Sequence, residues 1–282
     1  MSITDVKHIA LARASYLSDP KELALAKRKT PLKTPSAQYK PMELPPLGVD
    51  EEQPILKKNR LSTGIPDLDI MMEGGYPNPG NVMFVGPTGN EKAVFAFHFA
   101  SAAEAKKENV IIISADTDPQ SMREKSSSFG MDLNGENIFF IDCYSQTLGQ
   151  KKEAEPDEHC ISISGPGALN DLSIALKELL TKSAGKKVRV IFISLSTFVL
   201  YNPKDSIVKF LQVIEGRLKN ADATALYLVE EGVHDKQLLS LMEHGMDEKL
   251  TLSEGGGKFE LIVPSLDMPV PIKLSSSGIA VV

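Results

Sequence analysis

Residues 81–100, NVMFVGPTGNEKAVFAFHFA, carry the clearest structural pattern in the chain. The apolar run at 82–85 is typical of a strand that is covered on both faces of a sheet. Gly86 and Gly89 then allow the backbone to turn tightly, and the apolar residues that follow continue for long enough to form a buried helix. The stretch therefore predicts a strand, a glycine-containing turn and a helix in direct succession.

The rest of the chain repeats this alternation of strand and helix. Apolar runs predict strands at 81–86, 110–115, 137–142, 188–195 and 224–230, with helices at 91–106, 119–129, 168–183, 203–219 and 235–244. Repeated β-α units predict an α/β fold in which a mostly parallel central sheet is flanked by helices. Short strands at 248–254, 257–263 and 269–282 predict a C-terminal antiparallel hairpin.

Residues 1–60 differ in composition from the rest of the chain. They hold 11 of the 31 Lys and Arg residues but only 7 of the 37 Asp and Glu residues, so they carry a net charge of +4 and the remainder carries −10. Seven of the 18 prolines also lie here, and proline at this density prevents long helices. We predict an N-terminal basic, proline-rich arm or linker at 1–60 and one domain at 61–282. Two interpretations of the arm stay open: a segment without a binding role, and a segment that docks on a neighbouring subunit or another protein.

The whole chain is acidic, with a net charge of −6, which disfavours nonspecific binding to nucleic acid. Its most apolar stretch, 188–201, contains Arg189 and is too short to cross a bilayer. The first residues lack the apolar core of a signal peptide. Cys143 and Cys160 have no metal-ligand spacing and are too few for a disulfide framework. These features predict a cytoplasmic protein without a membrane span.

Residues 86–93 are a degenerate version of the phosphate-binding loop G-x-x-x-x-G-K-[ST], in which backbone N–H groups and the lysine hold phosphates and the hydroxyl binds magnesium. Gly86 and Lys92 match the pattern, whereas Glu91 replaces the second glycine and Ala93 replaces the hydroxyl residue. Alanine offers no metal ligand. The charge of Glu91 would repel a phosphate about 4 Å away by roughly 4 kcal/mol at the effective dielectric near a protein surface. The candidate nucleotide-binding residues are Gly86, Pro87, Thr88, Gly89, Asn90, Glu91, Lys92 and Ala93.

The segments around this loop resemble the KaiC-like proteins of the RecA superfamily. The matching segments, in the family's order, are STGIPDLD at 62–69, EGGYP at 73–77, ISADTDP at 113–119, FGMDL at 129–133, VIFISLS at 190–196, EEGVHD at 230–235 and GIAVV at 278–282. The resemblance implies a RecA-like P-loop fold over about residues 58–282 and, in this family, oligomers with nucleotide at the subunit boundary.

The resemblance also identifies where the family's active residues are replaced. The glutamate pair that activates water falls on Asp116 and Thr117, so Asp116 is the residual candidate for a catalytic base. The Walker B aspartate falls on Ile193, and the basic K-x-R segment falls near 265–267, where no basic residue is present. Because phosphoryl transfer depends on positioning and charge stabilisation, the combined loss of these groups predicts almost no catalysis and no metal site.

The main hypothesis is therefore a catalytically inactive pseudo-ATPase that acts as a regulatory or scaffolding subunit, in a homo-oligomer or with an active paralogue. It expects no bound cofactor. One alternative is an ATP-binding protein or weak magnesium-dependent ATPase that uses Lys92 and Asp116. A second alternative is a DNA-associated RecA-like paralogue, which the acidic domain disfavours.

Two other segments carry residues with chemical potential. His234 and His244 lie beside Asp235 and Glu243, but they lack metal-ligand spacing, so a surface or helix-capping role is favoured over a metal site. The stretch 144–167 predicts a long solvated loop that is able to host a partner.

Overall fold

A ten-stranded β-sheet lies at the centre of the protein in the computed structural model, which describes residues 59–89, 91–149 and 157–282. The strands are β3 (Gly80–Gly86), β4 (Asn109–Ser114), β5 (Ile138–Asp142), β6 (Cys160–Ser162), β7 (Val188–Ile193), β8 (Ala223–Glu230), β9 (Glu248–Gly255), β10 (Lys258–Ile262), β11 (Val270–Ser275) and β12 (Gly278–Val281). Two further strands, β1 (Arg60–Leu61) and β2 (Tyr76–Pro77), form a separate antiparallel pair. Across the large sheet the order is β12-β11-β10-β9-β3-β8-β7-β4-β5-β6. Every neighbouring pair from β9 to β6 is parallel, and the pairs from β9 to β12 are antiparallel.

Helices connect most of the parallel strands, and one further short helix lies between β1 and β2. They are α1 (Pro66–Met71), α2 (Glu91–Ser101), α3 (Pro119–Ser128), α4 (Leu169–Lys182), α5 (Leu195–Tyr201), α6 (Lys204–Asn220) and α7 (Lys236–Glu243), with 3-10 turns at Glu104–Lys106 and Ser145–Leu148. Two of these helices begin at an aspartate whose side chain accepts a main-chain N–H: Asp118 caps α3 and Asp235 caps α7. Such caps satisfy donors that the first helical turn leaves without partners.

Both faces of the central strands are buried, because successive side chains of a strand point to opposite faces. On β3, Val82 and Phe84 belong to the core cluster that includes α1 and α2. Met83 and Val85 belong to the cluster on the other face, which includes α4, α5, α6 and α7. This two-sided burial explains the continuous apolar runs from which the strands were predicted.

The predicted α/β fold with a mostly parallel, helix-flanked sheet is confirmed, and so is antiparallel pairing at the C-terminus. The C-terminal unit is larger than a single hairpin. Strand β9 first adds to β3 in parallel, and β10, β11 and β12 then continue the sheet in antiparallel order. The whole C-terminal segment therefore extends the central sheet.

Two segments differ from the prediction. The stretch 144–167 contains the 3-10 turn Ser145–Leu148 and the edge strand β6, whose three residues are too few and too exposed to give an apolar signal. The strand predicted at 188–195 ends at Ile193, and helix α5 begins two residues later at Leu195. Since the apolar run continues into α5 without a break, periodicity did not separate the strand from the short buried helix.

The buried side chain of Arg189, on β7, connects the sheet to the segment around Ser62, which precedes the glycine-containing loop. Arg189 on β7 has no exposed surface, and its guanidinium contacts the Glu108 carboxylate with an Nη2–Oε2 distance of 2.6 Å. Its Nη1 atom donates to the main-chain oxygens of Ser62 at 2.7 Å and of Phe99 at 2.9 Å. The guanidinium carbon also lies 4.6 Å from the centre of the Phe99 ring. The Arg189 side chain thus connects β7 with helix α2 and with the segment that directly follows β1.

The predicted arm at 1–60 lies almost wholly outside the described residues, whose first member is Asn59. Among the helices of the described ranges, none has both the length and the apolar character needed to cross a membrane.

Candidate functional site

The candidate site lies where β3, β4 and β8 end and α2 begins. Because these strands are parallel, their carboxyl ends meet at one edge of the sheet, which is where α/β folds bind ligands. The register places Gly86, the last residue of β3, opposite Glu230, the last residue of β8. The main-chain N–H of Glu231 donates to the Gly86 oxygen at 2.8 Å and fixes the two strand ends against each other.

Lys92 lies inside the protein. Only 2% of its surface is exposed, and its Nζ atom lies 3.0 Å from Oε2 of Glu230. Nζ also donates to the main-chain oxygen of Pro87 within the loop itself. The aliphatic part of Lys92 packs against Gly86, where an added Cβ would lie 3.2 Å from both Cγ and Cδ of the lysine. The lysine is thus held by partners from its own chain.

The carboxylate of Glu91 folds over the loop. A Cβ atom added to Gly89 would collide with Oε2 of Glu91, so the carboxylate lies directly beside the backbone of residue 89. Gly89 therefore leaves the space that the Glu91 side chain occupies. Asn90 lies outside the described residues. Pro87 is partly exposed and Thr88 is exposed.

The sequence comparison assigns the magnesium-binding hydroxyl and aspartate of a phosphate-binding site to positions 93 and 193. Both positions hold buried apolar side chains here. Ala93 lies in the first turn of α2, and Ile193 is the last residue of β7. Magnesium requires oxygen ligands, and neither side chain offers one. Together with the Glu91 carboxylate beside the loop, these side chains do not fit a magnesium-bound triphosphate.

Asp116 follows β4 at the same edge of the sheet and remains in contact with solvent. Desolvation of its carboxyl raises the pKa of Asp116, and the nearby Glu230 carboxylate raises it further, against the opposing effects of the Thr117 hydroxyl and of Lys125. The pKa of Lys125 is lowered by desolvation, while the charges of Asp116 and Glu91 act to raise it. The structure therefore brings Asp116, Glu91, Glu230 and Lys125 into one electrostatic group.

Glu230, Ser196 and His234 fall in segments that the sequence analysis matched to the family, but the sequence did not assign any of them to this site. Ser196 Oγ accepts the main-chain N–H of Glu230 at 2.8 Å and lies 2.7 Å from Nε2 of His234. Burial lowers the pKa of His234, with Asp235 and Glu230 acting in the opposite direction. The signal available in the sequence was the position of Glu230 at the end of a predicted strand.

The sequence-based candidates other than His234 lie elsewhere. Residues 265–267 fall between β10 and β11, on the antiparallel extension of the sheet. His244 lies at the C-terminal end of α7, whereas His234 precedes its N-terminus. Within residues 59–89, 91–149 and 157–282 there is no group of three or more His, Cys, Asp or Glu side chains that could hold a metal ion.

Comparisons with known proteins agree on the family. A family model described as "ATPase: KaiC" matches residues 61–250. The circadian clock protein KaiC3 of Synechocystis sp. is 29% identical over 85 residues, which cover 30% of this chain and only 16% of that protein. A UPF0273 protein of Thermotoga maritima is 23% identical over 211 residues, covering 71% of this chain and 83% of that relative.

The crystal structure of a KaiC-like protein from Pyrococcus horikoshii has the same fold. It superimposes with a TM-score of 0.59 at 18% sequence identity, over 79% of this chain and 98% of that structure. Since the family model matches more than half of the chain and the fold agrees, the chain belongs to the KaiC family of ATPases.

Proposed function

We propose that this KaiC-family chain does not hydrolyse ATP and that it acts as a regulatory or scaffolding subunit through protein–protein assembly. The observation that carries the proposal is the ion pair between Lys92 and Glu230. In an active phosphate-binding loop the lysine reaches the outer phosphates. Here a carboxylate and a carbonyl of the same chain already hold the ammonium group.

The missing metal ligands support the same proposal. Phosphoryl transfer needs positive charge to offset the charge that develops on the transferred group. Ala93 and Ile193 supply no oxygen that would fix magnesium, and Glu91 adds negative charge beside Gly89. Each change weakens catalysis for a separate physical reason, so their effects on the rate reinforce one another.

Exposed apolar side chains support a role in assembly. Leu200 and Tyr201, at the end of α5, are 71% and 63% exposed. Neighbouring apolar side chains of this size favour contact with another protein, because association removes their surface from water. The proposed partner is a second copy of this chain or an active member of the same family.

Calorimetric titration with ATP, with and without magnesium, tests the first half of the proposal. We expect no binding heat at millimolar ATP and no release of phosphate. Tight binding that Lys92→Ala abolishes, together with phosphate release, would contradict it. Lys92→Ala is the control because it removes the only loop lysine while the remainder of 86–93 stays unchanged.

Sedimentation velocity tests the second half. We expect the chain to assemble alone or with an active family member, and the double variant Leu200→Ser, Tyr201→Ser to weaken that assembly. Met268→Ser is the matched control, because it removes an exposed apolar side chain between β10 and β11, away from α5. A monomer at all concentrations that also fails to bind the active member would reject the assembly role.

A weak magnesium-dependent ATPase is the second candidate, and the environment of Asp116 favours it. A carboxyl with a raised pKa accepts a proton more readily than an ordinary aspartate, which is a property of general bases. If phosphate release were detected, Asp116→Asn should abolish it, whereas Asp132→Asn, at an exposed residue between α3 and β5, should leave it unchanged.

A further inference from the structure

We infer that the Glu230 carboxylate closes the degenerate loop from within by holding Lys92, so that a phosphate-bearing anion enters only when this ion pair is broken. The inference rests on the proposed function, because it concerns the same loop. It adds a mechanism that keeps the loop closed, and this mechanism acts independently of the missing metal ligands.

The sheet register places Glu230 at the base of the loop. Gly86 and Glu230 are paired residues on the neighbouring parallel strands β3 and β8, so the Glu230 side chain starts beside the first residue of the loop. The N–H of Glu231 on the Gly86 oxygen, at 2.8 Å, maintains this register. Ser196 Oγ receives the Glu230 N–H at 2.8 Å from the opposite side. The backbone of Glu230 is therefore held in place before any ligand arrives.

The burial of Lys92 makes the pair difficult to open. The Lys92 side chain is 2% exposed, whereas the Glu230 side chain is 21% exposed. A buried ammonium group without a partner is strongly disfavoured, so Lys92 exchanges one anionic partner only for another. The Pro87 oxygen satisfies a second donor of the same ammonium group. An incoming phosphate therefore competes with Glu230 for the buried ammonium group.

The charges around the pair oppose that replacement. Glu91 lies against Gly89, and Asp116 is close enough to Glu230 for the two carboxylates to influence each other. A phosphate that displaces Glu230 would leave three carboxylates near it, with no metal ion held by Ala93 or Ile193 to offset them. The Glu230 carboxylate therefore stays bound to Lys92 when a phosphate from solution competes for the same ammonium group.

Neutralising Glu230 tests the inference. Glu230→Gln keeps the size of the side chain and removes its charge, and Glu231→Gln is the matched control, because it removes the same charge from the exposed neighbouring residue. Two probes report on the loop: reductive methylation of Lys92, followed by mass spectrometry of its peptide, and calorimetric titration with inorganic pyrophosphate without magnesium. We expect Glu230→Gln to raise both the labelling rate of Lys92 and the affinity for pyrophosphate by about tenfold or more, and Glu231→Gln to change neither.

Equal labelling and equal pyrophosphate affinity in the wild type, Glu230→Gln and Glu231→Gln would overturn the inference. Rapid labelling of Lys92 in the wild type would overturn it as well. Thermal unfolding establishes that each variant is folded. If Glu230→Gln does not fold, Glu230→Asp, which withdraws the carboxylate by one methylene, is subjected to the same two measurements and the same criteria.

The two proposals fail in different ways. Phosphate release by the wild type would contradict the inactive subunit, but faster release by Glu230→Gln would still support the closing role of Glu230. A wild type that neither binds nor hydrolyses ATP, with a Glu230→Gln variant that behaves identically in both probes, would leave the inactive subunit standing and remove Glu230 as the cause of closure.

Discussion

Lys92 on α2 and Glu230 at the end of β8 form an ion pair of 3.0 Å, although 138 positions separate them in the chain. The pair is asymmetric, because Lys92 is buried and Glu230 reaches solvent. Because of this difference in burial, removing Glu230 and removing Lys92 should change the stability of the protein by different amounts.

Removing Glu230 should therefore cost more stability than removing Lys92. Glu230→Ala leaves a buried ammonium group with only the Pro87 oxygen as its partner, and we expect a loss of about 2–3 kcal/mol in the free energy of unfolding. Lys92→Met leaves a carboxylate that can turn toward water, and we expect a loss of about 1 kcal/mol or less. Urea denaturation measures both values, and an equal or reversed order would contradict the asymmetry.

Breaking the buried pair of Arg189 and Glu108 should cost more stability than breaking an exposed pair. Glu108→Gln leaves the fully buried guanidinium without a counter-charge, so we expect a loss of about 3–5 kcal/mol. Glu178→Gln breaks the exposed pair with Lys182 on α4 and should cost about 0.5 kcal/mol or less. Thermal and urea unfolding of the two variants provide the comparison, and similar losses would reject the structural role of Arg189.

Gly64 is required by a close approach of the chain to α2. It has a φ of +86°, and a Cβ atom there would overlap the main-chain oxygen of His98. Gly130 has a similar φ of +76° but open space around it. We expect Gly130→Ala to cost about 1 kcal/mol from backbone strain alone and Gly64→Ala to cost about 2 kcal/mol more, because the backbone has to move. Equal costs in denaturation experiments would contradict the close contact.

His98 should make the stability of the domain dependent on pH. Its Nε2 atom accepts the main-chain N–H of Ile279 at 2.9 Å, so the ring is unprotonated in the folded state. Burial lowers the pKa of His98 from its ordinary value of about 6.5, although a hydrogen bond with the Gly64 main chain acts to raise it. Between the two pKa values the unfolded chain binds the additional proton, and the free energy of unfolding therefore decreases as the pH falls below about 7.

Replacing His98 by glutamine isolates this contribution. His98→Gln keeps a hydrogen-bond acceptor but does not titrate, so we expect a smaller loss of stability between pH 7.5 and about pH 5 than in the wild type. His234, whose pKa is also lowered by burial, continues to contribute in both proteins. Urea midpoints measured across this range give the two slopes, and identical slopes would exclude His98 as the cause.

Much of the fold follows from local features of the sequence. The apolar runs of β3, β4 and β7 predict strands because each is buried on both faces. Helix α5 was missed because its apolar residues continue the run of β7, and β6 was missed because an edge strand of three residues carries almost no pattern. The degenerate positions Glu91 and Ala93 are visible in the sequence because the spacing of a phosphate-binding loop is fixed.

The sequence alone therefore predicts the order of the main strands and helices, the family resemblance and the residue types in the loop, since each depends on near neighbours in the chain. Contacts between residues that are distant in the chain became visible in the folded protein. The register of β3 and β8 brings Glu230 to Gly86 and hence to Lys92, and Ser196 and His234 join it from other elements. No local pattern encodes these contacts, because they arise from the pairing of strands that lie far apart in sequence and from the burial of charges that then require partners.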